Sequence, residues 1–220
     1  VESVTGQPLD RYVEESIYRP LGLPHTVINP LLKGFKPQQI AATELNGNTR
    51  DGVIHFPNIR TSTLWGQVHD EKAFYSMGGV SGHAGLFSNT GDIAVLMQTM
   101  LNGGGYGDVQ LFNAETVKMF TTSSKEDATF GLGWRVNGNA TMTPTFGTLA
   151  SPQTYGHTGW TGTVTVIDPV NHMTIVMLSN KPHSPVADPQ KNPNMFESGQ
   201  LPIATYGWVV DQVYAALKQK

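Results

Sequence analysis

The stretch from Gly156 to Asn180 constrains this chain more than any other. Gly156-His157-Thr158-Gly159-Trp160-Thr161-Gly162 packs three glycines into seven residues around a His, a Thr and a Trp. Glycine has no Cβ, so backbone there can approach a ligand closely. Val164 and Val166 then alternate with Thr163 and Thr165, the period of a strand. Asp168-Pro169-Val170-Asn171 reads as a turn, with Pro fixing φ. Met173 to Leu178 is an almost unbroken apolar run, the pattern of a strand buried on both faces. The spacing predicts an antiparallel hairpin over 160–178. Its first strand opens with a polar, glycine-lined edge suited to a substrate lying beside the backbone.

With 220 residues the chain can build one domain with a real core, or two small lobes. Charged residues make up 14% of it and the net charge is −3, so it carries no basic footprint for nucleic acid. No apolar run reaches the 18 or more residues of a membrane span. The absence of cysteine excludes disulfide and thiol chemistry.

Leu9, Tyr12, Val13 and Ile17 share one face of a helix predicted over 8–17, stopped by Pro20 and Gly22. Residues 24–62 lack periodicity and read as a long ordered loop with at most a short helix. Asn89 or Thr90 caps a helix whose stripe is Ile93, Leu96, Met97, Met100 and Leu101. Asn113 caps a shorter helix, 114–120, and Phe130 to Val136 reads as a strand. Residues 137–153 read as a loop. A final stripe of Tyr206, Val209, Val210, Val213 and Leu217 predicts a helix within 203–218 that packs on the sheet.

Two clusters offer chemistry outside the hairpin. His69-Asp70-Glu71 holds metal-ligand types, but adjacent residues point in different directions and no His-x-x-x-His spacing supports them. A hydrogen-bonded loop is the expectation there, with no metal and no cofactor. Gly78 to Gly85 is glycine-rich yet matches neither a phosphate loop nor a dinucleotide fingerprint. Ser81 is not in a Gly-x-Ser-x-Gly elbow, since His83 stands where the last Gly belongs. Tight turns are expected, with Ser81 and His83 as supporting groups.

His157-Thr158-Gly159 resembles the third motif, Lys/His-Thr-Gly, of the serine β-lactamase and penicillin-binding protein superfamily. Phe130-Gly-Leu-Gly-Trp134 before it and Leu178-Ser-Asn-Lys181 after it are similar as well. Met77 to Ser88, Val4 to Leu9 and Arg19 to Leu23 resemble the class C β-lactamase and esterase branch. The resemblance implies an α+β, β-lactamase/transpeptidase-like fold, an antiparallel sheet flanked by helices beside a helical lobe. Residues 1–128 then belong to the helical, loop-rich lobe, and 129–220 to the sheet with its packing helix.

The resemblance also assigns roles. A serine acyl hydrolase needs a nucleophile, a base and an oxyanion hole. The family's Ser-x-x-Lys and Tyr-x-Asn motifs are absent here, and Thr122-Ser-Ser-Lys125 has the spacing in the wrong order. The expectation is therefore the C-terminal part of a longer protein, nearly inactive alone. This part supplies His157, Thr158 and Gly159, with the Trp160 backbone N–H in the oxyanion hole. His157 stands where Lys is more familiar, and an imidazole titrates near neutrality while still donating a hydrogen bond when neutral. A D-alanyl-D-alanine carboxypeptidase acting on peptidoglycan peptides is implied, with β-lactams as covalent ligands and a periplasmic, inner-membrane location. An esterase and a non-catalytic peptidoglycan-binding module are the alternatives. The fragment is expected to bind its missing N-terminal part or to dimerise through exposed sheet surface.

Overall fold

The computed structural model describes residues 1–218. They form two compact units, one of Val1–Asp92 with Ser179–Gln200, the other of Ile93–Leu178 with the residues from Leu201 onward. The chain thus crosses between units more than once, where the sequence suggested one boundary near 128.

The first unit is built from short pieces. Helix α1 is Glu2–Thr5, and α2 is Leu9–Val13, continued by a π-helical turn over Glu14–Tyr18. All four stripe residues of the predicted helix are half-buried. The region expected to be loop carries strands β1 (Val27–Ile28) and β2 (Ala42–Glu44) and two 3₁₀ turns. Strand β3 is Leu64–Trp65 and pairs with β2. A helix absent from the sequence reading, α3, spans Glu71–Met77. Its signal was the Asp70 cap, whose carboxylate accepts from the Ala73 N–H at 2.8 Å. Strand β4 (Leu86–Phe87) pairs with β1. Helix α4, Thr90–Leu101, starts under an Asn89 cap that accepts from the Asp92 N–H at 2.8 Å.

The second unit holds the sheet. After α4 come the small hairpin of β5 (Gly105–Tyr106) and β6 (Val109–Gln110), then helix α5 (Ala114–Thr121). Asn113 caps α5 through the Thr116 N–H at 2.7 Å. Asn113→Ala is expected to lower stability by about 1 kcal/mol in urea unfolding, since one helix-end donor loses its partner. Next are β7 (Arg135–Val136), helix α6 (Thr143–Phe146), β8 (Tyr155–Gly159), β9 (Thr163–Asp168), β10 (Met173–Met177) and helix α7 (Tyr206–Lys218). The four last strands form one antiparallel sheet, ordered β10-β9-β8-β7.

Strand period two sorts the core. Val164 and Val166 pack with Met142, Phe146, Ala150, Val210 and Tyr214, on the face covered by α6 and α7. Ile167 points the other way, into a cluster with Met97, Val136 and Tyr155 that α4 covers through Ile93, Leu96, Met100 and Leu101. The predicted α4 stripe is therefore the packed one. Gly207 lets α7 approach α6 closely, because a Cβ there would lie 2.0 Å from the Thr143 carbonyl oxygen.

Several expectations are corrected. Residues 130–134 turn back on themselves, with the Gly131 N–H on the Trp134 carbonyl at 2.9 Å and Gly133 at φ 79°, so only 135–136 is strand. The 137–153 loop contains α6, whose Phe146 is fully buried. Gly156–Gly159 belongs to a strand of its own, so the predicted hairpin is the second half of a three-stranded meander. Strand β10 is half-buried throughout rather than buried on both faces, since it is the sheet's edge among the described residues. The packed face of α7 runs through Tyr206, Val210 and Tyr214, and Leu217 is exposed. Gly207 and Asp211 turn the helix, each making a close contact with the α6 region.

Candidate functional site

The sequence-predicted site residues lie together at one end of β8. Strand β9 pairs with all of β8, from Tyr155↔Ile167 to Gly159↔Thr163. Strand β7 pairs only with its first two residues, Tyr155 and Gly156. His157, Thr158 and Gly159 run on past β7, and among the described residues no strand pairs with them on that side. An extended segment of a ligand can add to such an edge through main-chain hydrogen bonds.

Glycine is required at two points. A Cβ on Gly156 would lie 1.9 Å from the Thr165 carbonyl oxygen, so only glycine allows β8 and β9 this close. Gly162 sits at φ 98° and donates to the Gly159 carbonyl at 3.1 Å, closing the turn that carries Trp160. The Trp160 ring is half-exposed beside the strand end.

His157 is exposed. Its Nδ1 lies 2.8 Å from the Thr158 carbonyl oxygen, and the Thr165 hydroxyl flanks its backbone N–H at 3.3 Å. A carbonyl only accepts, so Nδ1 is the donor. The hydrogen bond that a neutral ring can donate is thus made within the chain. The Thr158 hydroxyl makes no hydrogen bond among the described residues. Behind the edge, Tyr155 packs edge-on to Trp134 with ring centroids 5.3 Å apart, and burial pushes its phenol up to about 12. It serves as a wall, not a base at neutral pH.

Asp168 holds this construction in place, and sequence reasoning gave it only a turn. Its fully buried carboxylate accepts from the Ser151 N–H (3.0 Å) and hydroxyl (2.7 Å). It also accepts from the N–H groups of Val170 (3.0 Å) and Asn171 (3.1 Å), from Asn171 Nδ2 (2.7 Å) and from the Tyr214 hydroxyl. Burial pushes the carboxyl up, but these donors outweigh it and hold Asp168 well below the usual carboxylate range. Tyr214 is pushed far up in turn, by burial and then by Asp168. One anion thereby ties the hairpin turn, the approach to β8 and the last helix together.

The first unit carries its own polar network. Glu44 is buried, takes two hydrogen bonds from Arg50 Nη1 (2.7 and 2.9 Å), and contacts His69 Nε2. Arg50 also reaches Glu71 at 3.2 Å. His69, Asp70 and Glu71 therefore serve three different partners, and the described residues contain no group of three potential ligands positioned for a metal. In the glycine-rich segment, Ser81 Oγ lies 3.0 Å from His83 Nδ1, and His83 Nε2 lies 3.1 Å from Asp70 Oδ1. Burial pushes the Asp70 carboxyl up, but the Ala73 N–H and His83 overcome this and leave it below its ordinary value. The Ser81 hydroxyl also engages the Ala84 carbonyl at 3.1 Å and the Ala84 N–H at 3.2 Å. The chain Ser81–His83–Asp70 thus locks the loop to the start of α3.

A meander with a glycine-cut free edge and helices on both faces defines a class. The family model described as Beta-lactamase matches residues 1–200, and the chain belongs to that family. The protein from Escherichia coli (strain K12) named "Putative D-alanyl-D-alanine carboxypeptidase" is 99% identical over 220 residues, all of this chain and 51% of that protein. Its namesake from Salmonella agona (strain SL483) is 78% identical over 218 residues, 99% of this chain and 50% of that one. The chain thus spans about half the length of these relatives. Among solved structures, unliganded simvastatin synthase from Aspergillus terreus superposes with a TM-score of 0.62 at 16% identity, over 100% of this chain and 53% of the other. That likeness concerns the β-lactamase/transpeptidase-like fold.

Proposed function

We propose that this chain forms the strand-edge part of a serine D-alanyl-D-alanine carboxypeptidase that cleaves peptidoglycan peptides through an acyl-enzyme. The observation that carries the reading is the edge of His157, Thr158 and Gly159 left beyond β7. An acyl donor laid along it pairs with the backbone, while the Trp160 N–H donates to the oxyanion and the Thr158 hydroxyl hydrogen-bonds the donor's end group. The nucleophilic serine and its lysine lie outside these residues, in the remaining half of a protein the length of its relatives. Serine attacks the carbonyl, its proton passes to the base, and the D-alanine amine leaves with a proton. Water then releases the acyl group. A peptidoglycan substrate fits a periplasmic location, with any inner-membrane association carried by the part of the protein outside these residues.

The test is intact mass of the full-length protein after exposure to a fluorescent penicillin. A covalent adduct that forms more slowly in His157→Ala is expected. No adduct but turnover of short-chain esters would replace the peptidase with an esterase. Neither would leave a peptide-binding module.

A further inference from the structure

The backbone decides the ring chemistry of His157. Its Nδ1 donates to the Thr158 carbonyl at 2.8 Å. In a neutral imidazole the other nitrogen then holds a lone pair and no hydrogen. That nitrogen, Nε2, belongs to an exposed ring and has no hydrogen-bond or ion-pair partner among the described residues. The neutral ring can therefore only accept at its outer end. It donates there only as the imidazolium.

The neighbouring elements do not override this. Across the sheet, β9 faces His157 with Thr165, which offers a hydroxyl. Arg135 on β7 turns its guanidinium over the Phe130 ring at 3.8 Å and toward Met142 Sδ at 3.2 Å. Asp168 at the end of β9 is consumed by Ser151, Asn171 and Tyr214. Helix α4 has no titratable side chain from Ile93 to Leu101. Among the described residues no charged group pairs with the ring and fixes its protonation.

We propose that His157 sets acyl-donor specificity through the state of Nε2. The neutral ring selects donors that present an N–H or O–H at that position, such as a terminal primary amide. Of the two ring states, only the imidazolium donates to a terminal carboxylate. This rests on the acyl-hydrolase reading and deepens it: carboxylate-ended peptides are substrates of the acidic form, and uncharged donors of the neutral form. A lysine at 157 would bind carboxylates throughout the neutral range.

The experiment uses the full-length protein and two matched peptides, one ending in a free D-alanine carboxylate and one in its primary amide. The kcat/KM ratio of carboxylate to amide should fall as the pH is raised and the imidazolium gives way to the neutral ring. In His157→Lys the ratio should favour the carboxylate and stay flat between pH 6 and about 8. A ratio independent of pH in a protein that turns over both peptides would overturn the proposal. Failure of the acyl-hydrolase reading looks different, as neither peptide is cleaved and no serine is labelled by penicillin. Histidine-selective ¹⁵N NMR then decides the inference without turnover. The neutral ring of His157 should carry its hydrogen on Nδ1, and a ring protonated on Nε2 alone would refute the assignment.

Discussion

Asp168→Ala is expected to destabilise the sheet unit by about 3–5 kcal/mol. The carboxylate is fully buried and satisfies donors from Ser151, Val170, Asn171 and Tyr214. Truncation leaves several of these donors dry and unpaired, each costing about 1–3 kcal/mol before the structure relaxes. Asp168→Asn keeps the volume but offers one acceptor oxygen in place of two, and should lose somewhat less. Urea unfolding of the full-length protein reads both. The same residue sets an acid limit. Its carboxyl titrates lower in the folded chain than in the unfolded one, so its stabilisation is complete above about pH 4. It is lost as the pH falls from there toward the folded value. Asp168→Asn should therefore flatten the acid side of the stability profile, and an unchanged slope below pH 4 would show that other carboxylates govern it.

Trp160→Pro is expected to reduce kcat of the proposed reaction about 100- to 1,000-fold in the full-length protein. Proline removes the backbone N–H that the proposed mechanism aims at the oxyanion. The ring itself is half-exposed, so Trp160→Phe retains the donor and should cost far less. Equal losses in the two variants would assign the effect to the side chain and move the oxyanion donor elsewhere. Circular dichroism on both variants establishes that the turn closed by Gly162 survives.

What could be read from sequence was whatever is local and periodic. Val164 and Val166 alternate with threonines, and the structure places them on the α6 and α7 face as that alternation requires. The α4 stripe and the Asn113 cap were legible for the same reason. Helix α6 was not, because four residues around Pro144 have no room to show a period. The role of Asp168 was hidden by distance, as Ser151 and Tyr214 lie 17 and 46 residues away along the chain. His157 and Thr158 stood out through their flanking glycines. The hydrogen bond that commits Nδ1 is a matter of rotamer, which no spacing announces.

The excursion of Ser179–Gln200 into the other unit also orders events during synthesis. Val210 and Tyr214, which close the core beneath the meander, are made only after β8, β9 and β10. Until then Val164 and Val166 lack their cover from Val210 and Tyr214, and Asp168 lacks the Tyr214 hydroxyl. The inner face of the meander is therefore completed only by the last segment of the chain to be made, so a chain ending before Tyr206 would lack the helix that covers it.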